Sequence, residues 1–258
     1  MNDLPSSLFA NPAWHALQTK HRHLAVSARD ACRYPAEVAP FAAVAAPTSV
    51  ALQQLYSLLA PHESVWLVGE GYPPVPELSF EGTLECLQMV LPEGVAPPDP
   101  AIEIVSLSDA NAGEKVVLTD LAFPGFFRQR TCEMGSYYGV RSDDGELIAM
   151  GGERLMLDGY CEISGVCTHP AHRGKGLAAS LIWRLVRNHR RDGIVSWLHV
   201  ASANRHAIEL YFRMGFKVFA RSLSSGSLAI QRYRFWTRYC GYSSLIPAVI
   251  GDLPETPC

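Results

Sequence analysis

Residues 164–183, "SGVCTHPAHRGKGLAASLIW", place two cations and two glycines at a single join, Arg173-Gly174-Lys175-Gly176. Glycine lets the backbone turn through conformations closed to other residues and come close to a ligand. A helix starting at Leu177 would present unpaired N–H groups and a partial positive charge at its mouth. Arg173 and Lys175 add full charges at the same point, so the chemistry on offer is capture of phosphate. Two other phosphate cradles are excluded: there is no G-x-G-x-x-G, and no Gly-Lys-Ser/Thr follows a four-residue spacer. Taken alone, the four residues also fit an ordinary tight turn. Metal chemistry finds little support. His169 and His172 bracket a proline corner, and no cysteine pair has ligand spacing.

Such a turn needs a strand before it and a helix after it. "GYCEISGVCTH" reads as that strand and about 173–191 as that helix, with Leu177, Ala178, Leu181, Ile182 and Leu185 forming an apolar stripe. "VSWLHVAS" then reads as a strand, "ANRHAIELYFRMG" as a helix ending at Gly215, and "FKVFARS" and "LAIQRYRFW" as strands. Upstream lie a strand near 102–107, a helix near 109–121, and the strands "SYYGVR" and "LIAMGGERLML" joined by an Asp143-Asp144-Gly145 turn. "GVAPPDPAI", 94–102, holds three prolines and reads as a linker. Before it the sequence predicts a loop-rich 1–46, a helix near 48–60, the strand "VWLVG" and a strand near 84–91. The order gives a mixed α/β fold, with antiparallel strands first and crossovers later.

With 258 residues, 48% of them hydrophobic and 18% charged, the chain can pack a core, and its composition is not that of a disordered chain. Val38 to Ala46 is too short to span a bilayer, and "MNDLPSSLF" lacks a basic leader. Seven irregularly spaced cysteines suit reduced thiols and a cytoplasmic setting. Net charge is −3, yet residues 161–258 carry thirteen Lys/Arg against five Asp/Glu. That excess suits a polyanionic ligand. Arg184, Arg187, Arg190 and Arg191 also fit a solvated helix face, and no nucleic-acid recognition motif accompanies them.

Arg173–Ala178 fits R-x-x-G-x-A, and "NRHAIELYFRMGFKVF" has an Asn-x-x-Ala-x-x-x-Tyr-x-x-x-Gly-Phe pattern. Over about 102–235 the chain resembles the GNAT superfamily of acyl-CoA N-acyltransferases. "FPGFFRQRTCEMGSYYGVRSDDGELIAMGGERL" looks like its branch of glycine N-acyltransferase-like proteins. The resemblance implies a mixed, mostly antiparallel sheet flanked by helices, forming an acetyltransferase domain over 100–258. Residues 1–95 would be a smaller α/β region, with a degenerate second GNAT-like half as one reading. It also implies acetyl-CoA as co-substrate, no metal, and transfer to a primary amine of a small molecule or amino acid. Neither nucleic acid nor membrane is an expected partner, and a homodimer is left open. A longer acyl-CoA and a non-catalytic acyl-CoA sensor are the alternatives.

The implied roles fall on particular residues. Arg173, Gly174, Lys175, Gly176, Leu177 and Ala178 would hold the pyrophosphate. The pantetheine would run along Val166, Cys167 and Thr168 as an added strand. Gly165 would allow a bulge there, and an ordinary strand glycine is the alternative. An ammonium with pKa near 10 stands about three units above neutral pH, so baring its nitrogen costs roughly 4 kcal/mol. Glu162 would take that proton; Glu153 is the rival, and either carboxylate could instead be structurally paired. Strand alternation sets Glu162, Ser164 and Val166 on one face, unless a bulge shifts the phase. Tyr211 would protonate the leaving thiolate, or else be a core aromatic. Asn204 would cap its helix and bond the pantetheine or a water. Cys167 lacks a partner base and is rejected as a nucleophile.

Overall fold

The computed structural model describes residues 5–69, 71–80, 82–99, 102–122, 125–225 and 228–230. Residues 231–236, where the sequence predicts the rest of a last strand, lie outside them.

The start of the chain departs from expectation. In place of loops there are two short helices, α1 (Ser6–Ala10) and α2 (Pro12–Gln18), and three strands, β1 (Val26–Ala28), β2 (Ala31–Arg33) and β3 (Phe41–Val44). Asn11 accepts from the Trp14 N–H and Pro12 occupies the first turn, so an Asn-Pro pair starts α2. Then come α3 (Ser49–Ser57), capped by Thr48, and β4 (Trp66–Val68). Next are β5 (Leu78–Phe80), β6 (Thr83–Val90), β7 (Val105–Leu107) and α4 (Ala112–Asp120). The strands β8 (Tyr137–Arg141), β9 (Leu147–Leu157) and β10 (Tyr160–Thr168) follow, and Gly145 (φ 84°) makes the turn expected between the first two. Then come α5 (Leu177–Arg191), β11 (Val195–Ala201), α6 (Arg205–Arg213), β12 (Lys217–Ser225) and β13 (Leu228–Ile230).

Eleven strands form one sheet in the order β1-β2-β3-β4-β12-β6-β11-β10-β9-β8-β7, while β5 and β13 pair separately. Pairing is antiparallel except for β3 with β4 and β10 with β11. The sheet is continuous across the 94–102 linker. Thr83–Val90, from the N-terminal side, lies between β11 and β12 and pairs with both.

Helices cover both faces. α5 buries Leu177, Leu181, Ile182, Leu185, Val186 and His189, one stripe at helical spacing. Ile163, Leu198, Val200 and Phe216 meet Ile182, Leu185 and Val186 in the core on that side, and Ala207, Ile208 and Tyr211 of α6 pack against it. On the other face, Phe9, Ala16 and Leu17 pack with Leu155 and Trp197. Each fully buried Leu or Ile contributes about 1.5–3 kcal/mol relative to exposure, so the two faces fasten α5, α2 and the sheet together. The arginines of α5 also do more than face solvent. Arg187 Nη1 donates to the Pro98 carbonyl (2.7 Å) and Arg190 Nη2 to that of Pro92 (3.1 Å), tying the linker region to the helix.

Candidate active site

After β10 the chain passes through a short 3-10 turn, Pro170–His172, started by His169, whose Nδ1 accepts from the Ala171 N–H. The two histidines are thus turn residues, their rings 5.7 Å apart. Gly174 (φ 78°) and Gly176 (φ 76°) then adopt the left-handed conformation that favours glycine. Gly176 is the N-cap of α5, and no side chain bonds the helix's first N–H groups. A Cβ built on either glycine meets nothing within 4 Å. Arg173 and Lys175 are exposed beside this mouth. Free N–H groups, two cations and open space fit a pyrophosphate.

The strand leading here offers a free edge. β10 pairs with β11 at Tyr160↔Val195, Cys161↔Ser196 and Glu162↔Trp197, and no farther. Beyond Glu162 the two strands part. Against β9 the register jumps between Ser164 and Cys167, with Gly165 at φ 63°, so the bulge is real. It resets the alternation. Val166 packs with Ile163 against α5, and Cys167 is buried on the opposite face, so Val166 does not share Glu162's side. Burial holds the Cys167 thiol near 12, which keeps it from serving as a thiolate.

Glu162 is wholly buried in a cage of donors. Arg154 Nε donates to Oε2 (2.8 Å) and Arg154 Nη2 to Oε1 (2.5 Å). His199 Nδ1 lies 2.7 Å from Oε1, and the Leu155 N–H reaches Oε2 at 3.3 Å. Gln88 Nε2 donates to the Phe9 carbonyl (2.8 Å) and meets His199 Nε2 (3.1 Å). Burial alone would raise the Glu162 pKa. The Arg154 guanidinium, aided by His199, outweighs it and brings the carboxyl to about 2. A carboxylate this stabilised and this enclosed is a poor proton acceptor, so the geometry speaks against Glu162 as the direct base.

Glu153 is no better placed. It is buried on the α5 face, where His189 Nε2 (3.1 Å) and the Ser136 N–H (2.8 Å) bond it, and His189 Nδ1 meets Ser196 Oγ (2.8 Å). Burial pushes its pKa up, and these partners more than reverse that. Cys161 lies beside Glu153 and His189, a buried trio with ligand-type atoms within 4.8 Å of one another, although the Glu153–His189 bond already engages two of them.

Asn204 caps α6 through its Oδ1, accepting from the Ala207 N–H (3.1 Å). In the second half of α6, Tyr211 packs in the α5-side core, its ring 5.8 Å from Phe216. Among the described residues its hydroxyl has no hydrogen-bond partner. Burial raises it to about 12, so it is a protonated donor at neutral pH. Tyr211 therefore belongs to the α5 side of the sheet, with Ile163, and Glu162 to the other.

Two cavities that single-residue reasoning missed open on the Glu162 side. One, about 30 Å³, runs from Ser164 and Gly165 at the bulge past Phe127, Met134 and Tyr137 to Arg154. The other, about 60 Å³, is lined by Trp66, Val68, Leu84, Cys86, Leu155 and His199. Phe41, Phe126 and Arg154 wall both. A larger cavity of about 140 Å³ near Leu91 and Arg190 lies at the far end of α5, away from the turn.

Residues 109–216 match the model of the acetyltransferase (GNAT) family. A GNAT-family protein of Novosphingobium aromaticivorans, described as an acetyltransferase, shares 33% identity; the match covers 86% of this chain and 98% of that one, with a TM-score of 0.78. A GCN5-related N-acetyltransferase from Kribbella flavida is similar in fold at 18% identity, covering 89% and 96%, with a TM-score of 0.58. A conserved protein of unknown function from Staphylococcus epidermidis also shares the fold at 13% identity, covering 80% and 92%, with a TM-score of 0.52. No match is found among curated proteins. Among the described residues no helix is long and apolar enough to cross a membrane.

Proposed function

The chain belongs to the GNAT acetyltransferases, acetyl-CoA-dependent N-acetyltransferases, and from that premise we propose that it acetylates the primary amine of a small molecule or amino acid. The observation that carries this is the uncapped N-terminus of α5, reached directly from a strand whose edge is free beyond Glu162. The N–H groups from Gly174 to Ala178, with Arg173 and Lys175, would hold the pyrophosphate. Backbone of Val166, Cys167 and Thr168 would hold the pantetheine arm, with Asn204 alongside. Residues 1–95 would serve as the acceptor side, since Phe41, Trp66 and Val68 wall the cavities.

In this reading the amine nitrogen, as the free base, bonds to the thioester carbonyl carbon and the carbon–sulfur bond breaks. Tyr211 gives its proton to the departing sulfur. Glu162 acts by holding His199 and Arg154 in place, and the amine's proton leaves to solvent. The pH dependence of kcat/KM should therefore rise toward the pKa of the acceptor amine, with no limb belonging to a carboxylate. Calorimetry with acetyl-CoA and CoA, followed by an amine screen that reads CoA release, tests the reading. Absence of binding to both would overturn it.

A further inference from the structure

Arg154 is only half used. A guanidinium carries five N–H donors in a rigid fork. Its Nε and one N–H of Nη2 are committed to Glu162, at 2.8 and 2.5 Å. Among the described residues Nη1 makes no hydrogen bond, which leaves the Nη1/Nη2 end of the fork unspent. The side chain keeps 20% of its surface exposed although Glu162 beside it has none, and it lines both cavities. The fork's plane is fixed, with its carbon 4.9 Å from the centre of the Phe41 ring. An end-on fork held in one plane is the shape that receives a carboxylate in two parallel bonds.

The surroundings restrict what such a carboxylate can be attached to. Trp66 and Phe126 lie 5.6 Å apart at 30°, and Phe41 and Phe126 6.5 Å apart at 34°, so one wall is a run of ring faces and edges. Two polar neighbours are already satisfied: both His199 nitrogens are engaged, and Thr131 Oγ1 donates to the Val38 carbonyl and accepts from the Arg128 N–H. The cavity that contains Arg154 has the β10 bulge as its other end. Carboxylate anchor, flat apolar wall and reaction centre thus adjoin one another.

We infer that the acceptor is an amino acid with a flat apolar side chain, its carboxylate on the free end of Arg154 and its side chain against Phe41, Trp66 and Phe126. This rests on the transferase reading above and names the acceptor class for the same site. Arg154 would be a residue that contacts the acceptor and sets specificity, beyond its pairing with Glu162.

The test is calorimetric binding, in the presence of CoA, of N-acetylphenylalanine, N-acetyl-2-phenylethylamine and N-acetylglycine to the full chain and to Arg154→Lys. Lysine keeps a positive charge against Glu162 and removes the fork. N-acetylphenylalanine should bind about 10–100-fold more tightly than N-acetyl-2-phenylethylamine, the usual worth of charge-assisted bonds, and more tightly than N-acetylglycine. In Arg154→Lys the preference for N-acetylphenylalanine over N-acetyl-2-phenylethylamine should vanish, while retained CoA binding reports that the variant is folded. Equal or tighter binding of the decarboxylated compound to the parent chain would overturn the inference, as would equal binding of N-acetylglycine. Failure of the transferase reading looks different: CoA itself would not bind, and the same three affinities measured without it would still decide the acceptor site.

Discussion

Replacing Glu162 with Gln isolates the energy of the buried cluster. The side chain keeps its shape, but Arg154 loses its counter-ion in a place where the carboxylate has no exposure and the guanidinium keeps 20%. The Glu162 carboxyl sits at about 2 against an ordinary value of 4.5. At about 1.4 kcal/mol per unit, that difference corresponds to about 3 kcal/mol in favour of the folded state at neutral pH. Stranding a buried partner charge costs about 3–5 kcal/mol, and the partial exposure of Arg154 favours the lower end. Glu162→Gln should therefore lose about 3 kcal/mol in urea unfolding at pH 7.

The pH dependence gives the sign. Glu162 has a depressed folded pKa, so its contribution is complete above 4.5 and is lost as pH falls toward 2. The gap between parent and Glu162→Gln should shrink by about 1 kcal/mol by pH 3.5, because only the parent still titrates there. Other acid-sensitive groups cancel in that difference. Replacing the pair together, Arg154→Met with Glu162→Leu, should recover most of the lost stability, since no charge is left stranded. A gap below about 1 kcal/mol at pH 7, or one that does not change down to pH 3.5, would refute the reasoning, because an ion pair of this burial must show both.

Tyr211→Phe should lower kcat by about 10²–10⁴-fold with CoA affinity nearly intact; unchanged turnover with a validated acceptor would leave Tyr211 a packing residue. Gly176→Glu should abolish acetyl-CoA binding by calorimetry and cost roughly 1–2 kcal/mol in thermal unfolding, because φ 76° is strained for any side chain. Parent-like affinity in that variant would remove the pyrophosphate site from this turn. His21, bonded through Nδ1 to Tyr34 Oη (2.8 Å), is held near 4 by burial and then by His23. That lowered value adds stability above pH 6.5 that fades as pH falls toward 4, about 3 kcal/mol in full. His21→Gln should flatten the stability profile between those limits, and an unaltered slope would count against the assignment.

What the sequence makes legible is what is encoded within a few residues. Arg173–Ala178, the Asp-Gly turn before β9 and the stripe of α5 each carry their own geometry, and Gly165 inside the strand before the glycine turn already marks the bulge. The helices α1 and α2 were just as local, since Asn11-Pro12 is a cap followed by a first-turn proline, but their five and seven residues give no periodic stripe to notice. The acceptor side is encoded differently. Its walls are Phe41, Trp66 and Phe126, which touch only because β3 and β4 extend the sheet past β12 and β6. The same holds for Arg154. In "GGERL" it stands beside Glu153, yet strand alternation sends the two side chains to opposite faces, one to His189 on α5 and the other to Glu162 and His199 across two strands. A carboxylate on the strand before the phosphate turn looks like a base until its neighbours are known, and those neighbours come from β9 and β11. The cofactor side of this enzyme therefore rests on a contiguous segment. The acceptor side, where specificity must arise, rests on the way the N-terminal strands are threaded into the sheet.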